Sequence, residues 1–142
     1  MSAPDSLTLT RRFKAPRERV FAAFTTIEAI GLWLGPESCG VTGGRMDFQV
    51  GGTYLYQMKT PHGDMELRGT YREISPPSRL VFTWQWVEDD APLTTVTVDL
   101  TEVGEDTELT LTQTGFTSAE SAGNHAHGWS GSFDRLDNFL AA

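Results

Sequence analysis

Alternation of apolar and polar residues runs through much of the chain and predicts β-strands. In the first such run, LTLTRRF, the apolar Leu7, Leu9 and Phe13 alternate with Thr8 and Thr10, and this period of two places one set on each face of a strand. Later runs with the same pattern or with turn signals at their ends are GGRMDFQVGG, TYLYQM, MELRGTY, LVFTWQW, TTVTVDL and ELTLTQT. Six or seven strands, joined mainly by short hairpin loops such as TPHGD, predict an antiparallel sheet with one solvated face and one buried face.

Two short helices are predicted between the first strand and the rest of the sheet. Pro16 is tolerated in a first helical turn, and it is followed at helical spacing by the apolar residues Val20, Phe21 and Phe24. The segment IEAIGLWLG predicts a second helix, ended by Gly35-Pro36. Its apolar side consists of Ile27, Ile30 and Leu34.

The closing segment predicts a long helix that covers the buried face of the sheet. We expect Ser118 to be the N-cap and the helix to run from about Ser118 to Ala141. One apolar stripe follows the spacing i, i+4, i+7, i+11 and consists of Trp129, Phe133, Leu136 and Leu140. Three glycines in this segment disfavour a helix by propensity, so we expect tertiary packing to hold it.

The sequence His125-Ala-His127 in this helix raises the question of a metal site. Residues two apart point the same way on a strand but diverge on a helix. His125 lies one turn before Trp129 and joins the apolar stripe, whereas His127 points to the opposite side. We therefore expect no shared metal, with His125 a core histidine hydrogen-bonded to a neighbour and His127 solvated.

Composition narrows the functional classes. The 142 residues suit one domain spanning 1–142 with a single core. A formal net charge of −8 with scattered Lys and Arg argues against nucleic-acid binding, which draws on clustered cations. No secretory signal and no apolar stretch near the ~20 residues of a membrane span are seen, so we expect a cytoplasmic protein without membrane insertion. The single cysteine, Cys39, is expected to be a small core residue.

The elements and several motifs together resemble a known family. The order strand, two short helices, antiparallel strands and long C-terminal helix is similar to the α+β helix-grip fold of the START/Bet v 1-like (SRPBCC) superfamily. Within it, the chain resembles the activator of heat-shock-protein-90 ATPase homologue family, in its stand-alone bacterial form, from about Leu7 to Leu140. The motifs that carry the resemblance are RRFKAPRERVFAAFT with Trp33 after it, MDFQVGG, RGTYREISPPSRLVFTW and HAHGWSGSFDRL.

This resemblance implies a cavity between a curved sheet and the long helix, and apolar pockets are the usual small-molecule sites. The residues predicted to line it are Phe48, Tyr54, Tyr56, Met58, Met65, Leu67, Gly69, Tyr71, Phe82, Trp84, Trp86, His125, Trp129 and Phe133. Rings dominate this set and Gly69 leaves room among them. A flat, mostly apolar, lipid-like or aromatic ligand with one or two polar atoms is therefore predicted, bound without a metal or an organic cofactor. The alternative that these side chains simply fill the core stays open.

Two other functions also stay open. The superfamily includes polyketide cyclases, in which polar pocket groups position a substrate and move protons, and the candidates for such roles are His125, Tyr54, Tyr56, Tyr71, Asp47 and Glu73. Of these, Asp47 is expected rather to anchor a loop or pair with an arginine, and Glu73 to lie at a strand end near water. A protein-binding module, such as a co-chaperone with a chaperone partner or a stress-response protein, would need an exposed apolar patch or a charged face.

Overall fold

Strands and helices appear in the order that the sequence pattern predicts. The computed structural model describes residues 6–35, 39–61, 63–87 and 91–141. In chain order the elements are β1 (Ser6–Phe13), α1 (Arg17–Ala22), α2 (Ile27–Trp33), β2 (Gly40–Met46), β3 (Thr53–Thr60), β4 (Gly63–Ser75), β5 (Arg79–Trp86), β6 (Thr94–Val103), β7 (Asp106–Thr114) and α3 (Ala119–Ala141). The predicted α+β class is confirmed, with seven strands in the described part of the chain.

The seven strands form one curved antiparallel sheet in the order β1-β7-β6-β5-β4-β3-β2. β1 pairs with β7 along its whole length. Within β1, Leu7 and Phe13 are buried while Thr8 and Thr10 are exposed. One face of the sheet is therefore solvated and the other packs against the helices, as the alternation predicted.

One side-chain hydrogen bond caps α2 and another joins it to the segment after α1. α2 is capped by Thr26, whose side-chain oxygen accepts a hydrogen bond from the Ala29 N–H at 3.1 Å. The indole N–H of Trp33 donates to the carbonyl oxygen of Ala23 at 2.9 Å, which ties the end of α2 to the segment after α1. Trp33 is fully buried, so this contact forms part of the core.

The end of α2 is also fastened to α3. The Arg135 guanidinium donates to four carbonyl oxygens at 3.0–3.3 Å, those of Leu32, Leu34, Gly35 and Cys39. Ser132 Oγ accepts from the Gly35 N–H at 2.8 Å. α2 itself ends at Trp33, since Leu34 is extended with ψ 133°. The predicted stop at Gly35-Pro36 lies just beyond, and Pro36 is outside the described residues.

The long C-terminal helix is confirmed. Ser118 Oγ accepts a hydrogen bond from the Ser121 N–H at 3.1 Å, which makes Ser118 the N-cap. The predicted stripe is buried throughout: Trp129, Phe133, Leu136 and Leu140. Because these four residues face the interior, the packing of α3 on the sheet outweighs the low helix propensity of its glycines.

Not every residue predicted to face inward is fully covered. Phe48, Met65 and Trp86 are only half-buried. Phe48 follows the end of β2, Met65 lies near the start of β4 and Trp86 is the last residue of β5. Fewer neighbouring groups cover the sheet at these strand ends. Cys39, which was expected in the core, is half-buried as well.

Candidate functional site

A small apolar cavity lies in the interior between the sheet and the helices. Its wall combines β3, β4 and β5 with the α1–α2 segment and α3, through Phe24, Ile30, Leu34, Tyr54, Tyr56, Tyr71, Leu80, Phe82, Trp84 and Trp129. The cavity volume is about 20 Å³, which leaves room for about one water molecule. A ligand of several heavy atoms therefore requires the wall to move.

Only part of the predicted ligand-lining set forms this wall. The predicted residues found there are Tyr54, Tyr56, Tyr71, Phe82, Trp84 and Trp129. Met58, Leu67 and Phe133 are buried elsewhere in the core; Phe133 packs edge-on against Phe13 with ring centroids 5.8 Å apart. Phe48, Met65, Gly69, Trp86 and His125 also lie outside the wall.

Sequence reasoning missed the contribution of the short helices to the wall. Phe24, Ile30 and Leu34 line the cavity from the α1–α2 segment, and Leu80 lines it from β5. The apolar faces of both helices were visible in the sequence. What the sequence does not give is the position of those faces over the sheet, because that position depends on contacts between distant segments.

Gly69 does not leave the room for a ligand that was predicted. Gly69 lies directly opposite Tyr54 in the pairing of β3 with β4. A Cβ atom at this position would run into the Tyr54 ring and into the carbonyl oxygen of Thr83. The Tyr54 hydroxyl donates to that same oxygen at 2.6 Å. The missing side chain thus makes space for a tyrosine of the protein, which covers the glycine.

Three tyrosine rings form a cluster on one side of the cavity. The Tyr54 centroid lies 4.6 Å from that of Tyr56 and 5.6 Å from that of Tyr71. Burial raises the pKa of Tyr54 and of Tyr56 well above the ordinary value of 10.0. Burial also raises the pKa of Tyr71 to about 12, although its interaction with the Tyr56 hydroxyl opposes the shift. The three hydroxyls stay protonated near neutral pH, so they suit hydrogen bonding better than proton abstraction.

The two indoles in the wall differ in their hydrogen bonds. The Trp129 N–H donates to Oε1 of the buried Gln113 at 2.8 Å. Gln113 Nε2 donates to Thr94 Oγ1 at 2.8 Å, and Thr94 Oγ1 donates to the Trp84 carbonyl oxygen at 2.8 Å. The Trp84 indole N–H, in contrast, is buried without an acceptor among the described residues. A buried unpaired donor is unfavourable, so the wall contains one unused hydrogen-bond donor.

His125 lies beside this aromatic cluster with both ring nitrogens engaged. Its Nε2 accepts from the Trp86 indole N–H at 2.9 Å, and its Nδ1 lies 2.8 Å from the Ser121 carbonyl oxygen. These partners assign the proton to Nδ1. Burial lowers the pKa of His125, with the Ser121 bond opposing the shift. These hydrogen bonds agree with the prediction for His125, but the residue is half-buried and does not belong to the core.

His127 is exposed, so the two histidines of α3 do not converge. Within the described ranges, no three His, Cys, Asp or Glu side chains are grouped as metal ligands would be. Among the helices of those same ranges, none has the length and apolar character needed to cross a bilayer.

The two carboxylates considered as catalytic groups are exposed and engaged in local contacts. Asp47 Oδ2 accepts from Gln49 Nε2 at 3.1 Å, and the Asp47 carbonyl oxygen accepts from the Gln49 N–H at 2.9 Å. Asp47 thus anchors the loop before β3, as expected. Glu73 accepts from the Ser75 hydroxyl at 3.0 Å and lies 3.9 Å from Arg79. Its position near the end of β4 also agrees with the expectation.

Solved structures with the same fold come from several bacteria. A protein from Chromobacterium violaceum is similar over 99% of both chains, with 25% identity and a TM-score of 0.89. The AHSA1 protein from Silicibacter pomeroyi has 26% identity and a TM-score of 0.83, over 96% of this chain and 97% of its own. A protein from Rhizobium loti has 26% identity and a TM-score of 0.79, over 94% of each chain. No curated protein sequence matches this chain.

The family model described as "Activator of Hsp90 ATPase homolog 1-like protein" matches residues 14–141. The match begins just after β1 and includes the helical segment, the other six strands and α3. Together with the helix-grip architecture, it establishes that the chain belongs to the Activator of Hsp90 ATPase homolog 1-like protein family.

Proposed function

We propose that this protein binds a small, largely apolar molecule with an aromatic ring between the sheet and α3. The observation that carries the proposal is the apolar cavity, whose wall is drawn from the sheet, from α3 and from the α1–α2 segment. START-like folds commonly bind hydrophobic ligands. A ligand placed there would bury apolar surface on all sides, which is the main source of affinity for such molecules.

The chemistry of the wall favours an uncharged ligand. Its residues are aliphatic or aromatic, and none carries a formal charge near neutral pH. A charged group buried among them would lose its hydration without gaining an ionic partner. The Tyr54 hydroxyl already donates to Thr83. One donor of the hydrogen-bonded Tyr56–Tyr71 pair and the unpaired Trp84 N–H remain for one or two neutral polar atoms. Neutral ring compounds therefore fit the wall better than fatty-acid carboxylates.

The end of α2 is the part of the wall that we expect to move when a ligand enters. The strands of the wall are held by paired backbone ladders. α2 has only seven residues, and helices this short are not stable alone. Its end is held to α3 by side-chain hydrogen bonds from Arg135 and Ser132. Ligand entry would therefore displace Ile30 and Leu34 while the sheet stays in place.

A binding screen of the purified protein tests the proposal. Flavonoid-like, sterol-like and fatty-acid probes are titrated while tryptophan emission and melting temperature are followed. Binding in the cavity should change the emission of Trp84 and Trp129. It should also raise the melting temperature with probe concentration, because a ligand specific to the folded state stabilises it by mass action. Native mass spectrometry looks for a molecule retained on purification.

The outcomes of this screen distinguish ligand binding from catalysis and from binding of a protein partner. Saturable binding without turnover supports a carrier or a sensor. Chemical conversion of a bound probe would favour the cyclase-like enzyme instead. If no probe binds and no molecule is retained, the proposal is wrong and the outer surface with a protein partner becomes the alternative.

A matched pair of substitutions locates the binding. Phe82 lines the cavity, whereas Phe13 is equally part of the core but packs on Phe133 outside it. Phe82→Leu and Phe13→Leu should both reduce stability moderately. Only Phe82→Leu should change the order in which the probes are preferred. Equal effects of the two changes on probe preference would place the site elsewhere.

A further inference from the structure

Trp84 differs from the other tryptophans of the chain in its hydrogen bonding. The chain has four tryptophans, and all of them lie in the described ranges. The other three each donate to an acceptor at 2.8–2.9 Å: Trp33 to the Ala23 carbonyl oxygen, Trp86 to His125 Nε2 and Trp129 to Gln113 Oε1. Trp84 is 6% exposed, and its N–H has no acceptor among the described residues.

The three aromatic rings in contact with Trp84 have no acceptor to spare. The Trp129 ring lies 4.9 Å away by centroid, and an indole N–H is a donor only. The Trp86 ring at 5.9 Å is likewise a donor. The His125 ring lies 6.3 Å away, but its Nε2 already accepts the Trp86 N–H. None of these three rings accepts the Trp84 N–H. Trp84 also lines the cavity, so a ligand that displaces the wall would bring its own acceptor next to this residue.

We infer that Trp84 is the residue that selects the polar atom of the ligand, and that this atom is a neutral acceptor oxygen. This inference rests on the proposed binding function. An aromatic ketone, ester or ether would accept the Trp84 N–H while its rings contact the apolar wall. A carboxylate would also accept it, but its charge would have no partner among the wall residues. The ligand class is thus narrowed to neutral aromatic compounds that carry a carbonyl or ether oxygen.

Two probes of nearly equal shape isolate this hydrogen bond. 1-Indanone carries a ring carbonyl and indane lacks it. Dissociation constants of both probes are measured for the wild-type protein and for a variant with benzothienylalanine at position 84, in which sulfur replaces the indole N–H at nearly constant shape. The variant should bind 1-indanone about three- to tenfold more weakly, as expected for one lost hydrogen bond. Its affinity for indane should change less than about twofold.

Nuclear magnetic resonance of the wild-type protein gives an independent readout. With 15N-labelled indoles, the Trp84 N–H signal should move downfield on addition of 1-indanone and should move little with indane. The indole signals of Trp33, Trp86 and Trp129 serve as internal references, because their hydrogen bonds are already formed. Trp84→Phe, which can be produced without an unnatural amino acid, should show the same selective loss of 1-indanone affinity on a smaller ring.

The possible results distinguish this inference from the function on which it rests. Suppose that both probes bind the wild-type protein and that the variant at position 84 lowers the affinity for both equally, or for neither. Trp84 then does not select the oxygen, and the binding function stands. If neither probe binds the wild-type protein at any soluble concentration, both the cavity function for molecules of this size and the inference are wrong. Selective loss of 1-indanone supports both.

Discussion

Replacement of Trp129 by alanine is expected to lower the free energy of unfolding by about 3–5 kcal/mol, as large-to-small changes in a core do. Trp129 is 3% exposed, and its ring centroid lies 4.9 Å from that of Trp84 and 5.8 Å from that of Phe133. Its N–H is also the donor to Gln113 Oε1. A buried acceptor left without its donor costs about 1–3 kcal/mol, which places the loss toward the upper end of the range.

Two further variants test the contribution of the Trp129 hydrogen bond and the orientation of α3. Trp129→Phe keeps a ring but removes the N–H, so it should cost about 1–3 kcal/mol through the unpaired Gln113. His127→Ala changes the exposed side of the same helix and should alter stability by less than about 0.5 kcal/mol. Urea unfolding followed by far-ultraviolet circular dichroism gives all three values without relying on tryptophan emission.

Two results would refute this reasoning. Equal losses from Trp129→Ala and His127→Ala would mean that α3 presents the other face to the sheet. A Trp129→Phe variant as stable as the wild type would mean that the hydrogen bond to Gln113 contributes nothing, and that only the ring volume matters at this site.

Three further predictions concern other contacts. Burial lowers the pKa of His125 below its ordinary value of 6.5, so on acidification the unfolded chain binds this proton before the folded protein does. The free energy of unfolding should therefore fall as the pH drops below about 6.5. Urea midpoints of the His125→Gln variant should depend less on pH over this range. Gly69→Ala should destabilise by about 1–3 kcal/mol, since its Cβ meets the Tyr54 ring. The control Gly123→Ala, with open space at a helical position, should stabilise by about 0.5–1 kcal/mol; thermal melts that rank the two glycines alike would contradict this. Arg135→Lys should cost about 1–3 kcal/mol, because one ammonium group cannot replace donors to four carbonyl oxygens. If the end of α2 is the part of the wall that moves, Arg135→Lys should also bind the probes faster, as measured by stopped-flow fluorescence.

The pattern of residues along the chain was enough to predict the order of the elements and most of the faces they bury, although β2 ends at Met46 and does not continue through Phe48. Leu7 and Phe13 in β1, and Trp129 in α3, are buried as their spacing predicted. Such periodicity is local, since it needs only the geometry of one strand or one helix. The same spacing placed His125, which is half-buried, on the side of the apolar stripe and His127 on the exposed side, so it also predicted that the two histidines do not converge.

The interior, by contrast, was decided by contacts between segments far apart in sequence. The space beside Gly69 belongs to Tyr54 because the β3–β4 register places them opposite each other, and periodicity alone gives no register. The free donor of Trp84 and the paired donor of Trp129 are indistinguishable in the sequence, since both are tryptophans on inward faces. They differ because Gln113 of β7 accepts the N–H of Trp129 and not that of Trp84. Apolar patterning thus specifies which side chains are inside, whereas packing of the whole chain determines the volume left between them and the polar atoms that remain without a partner.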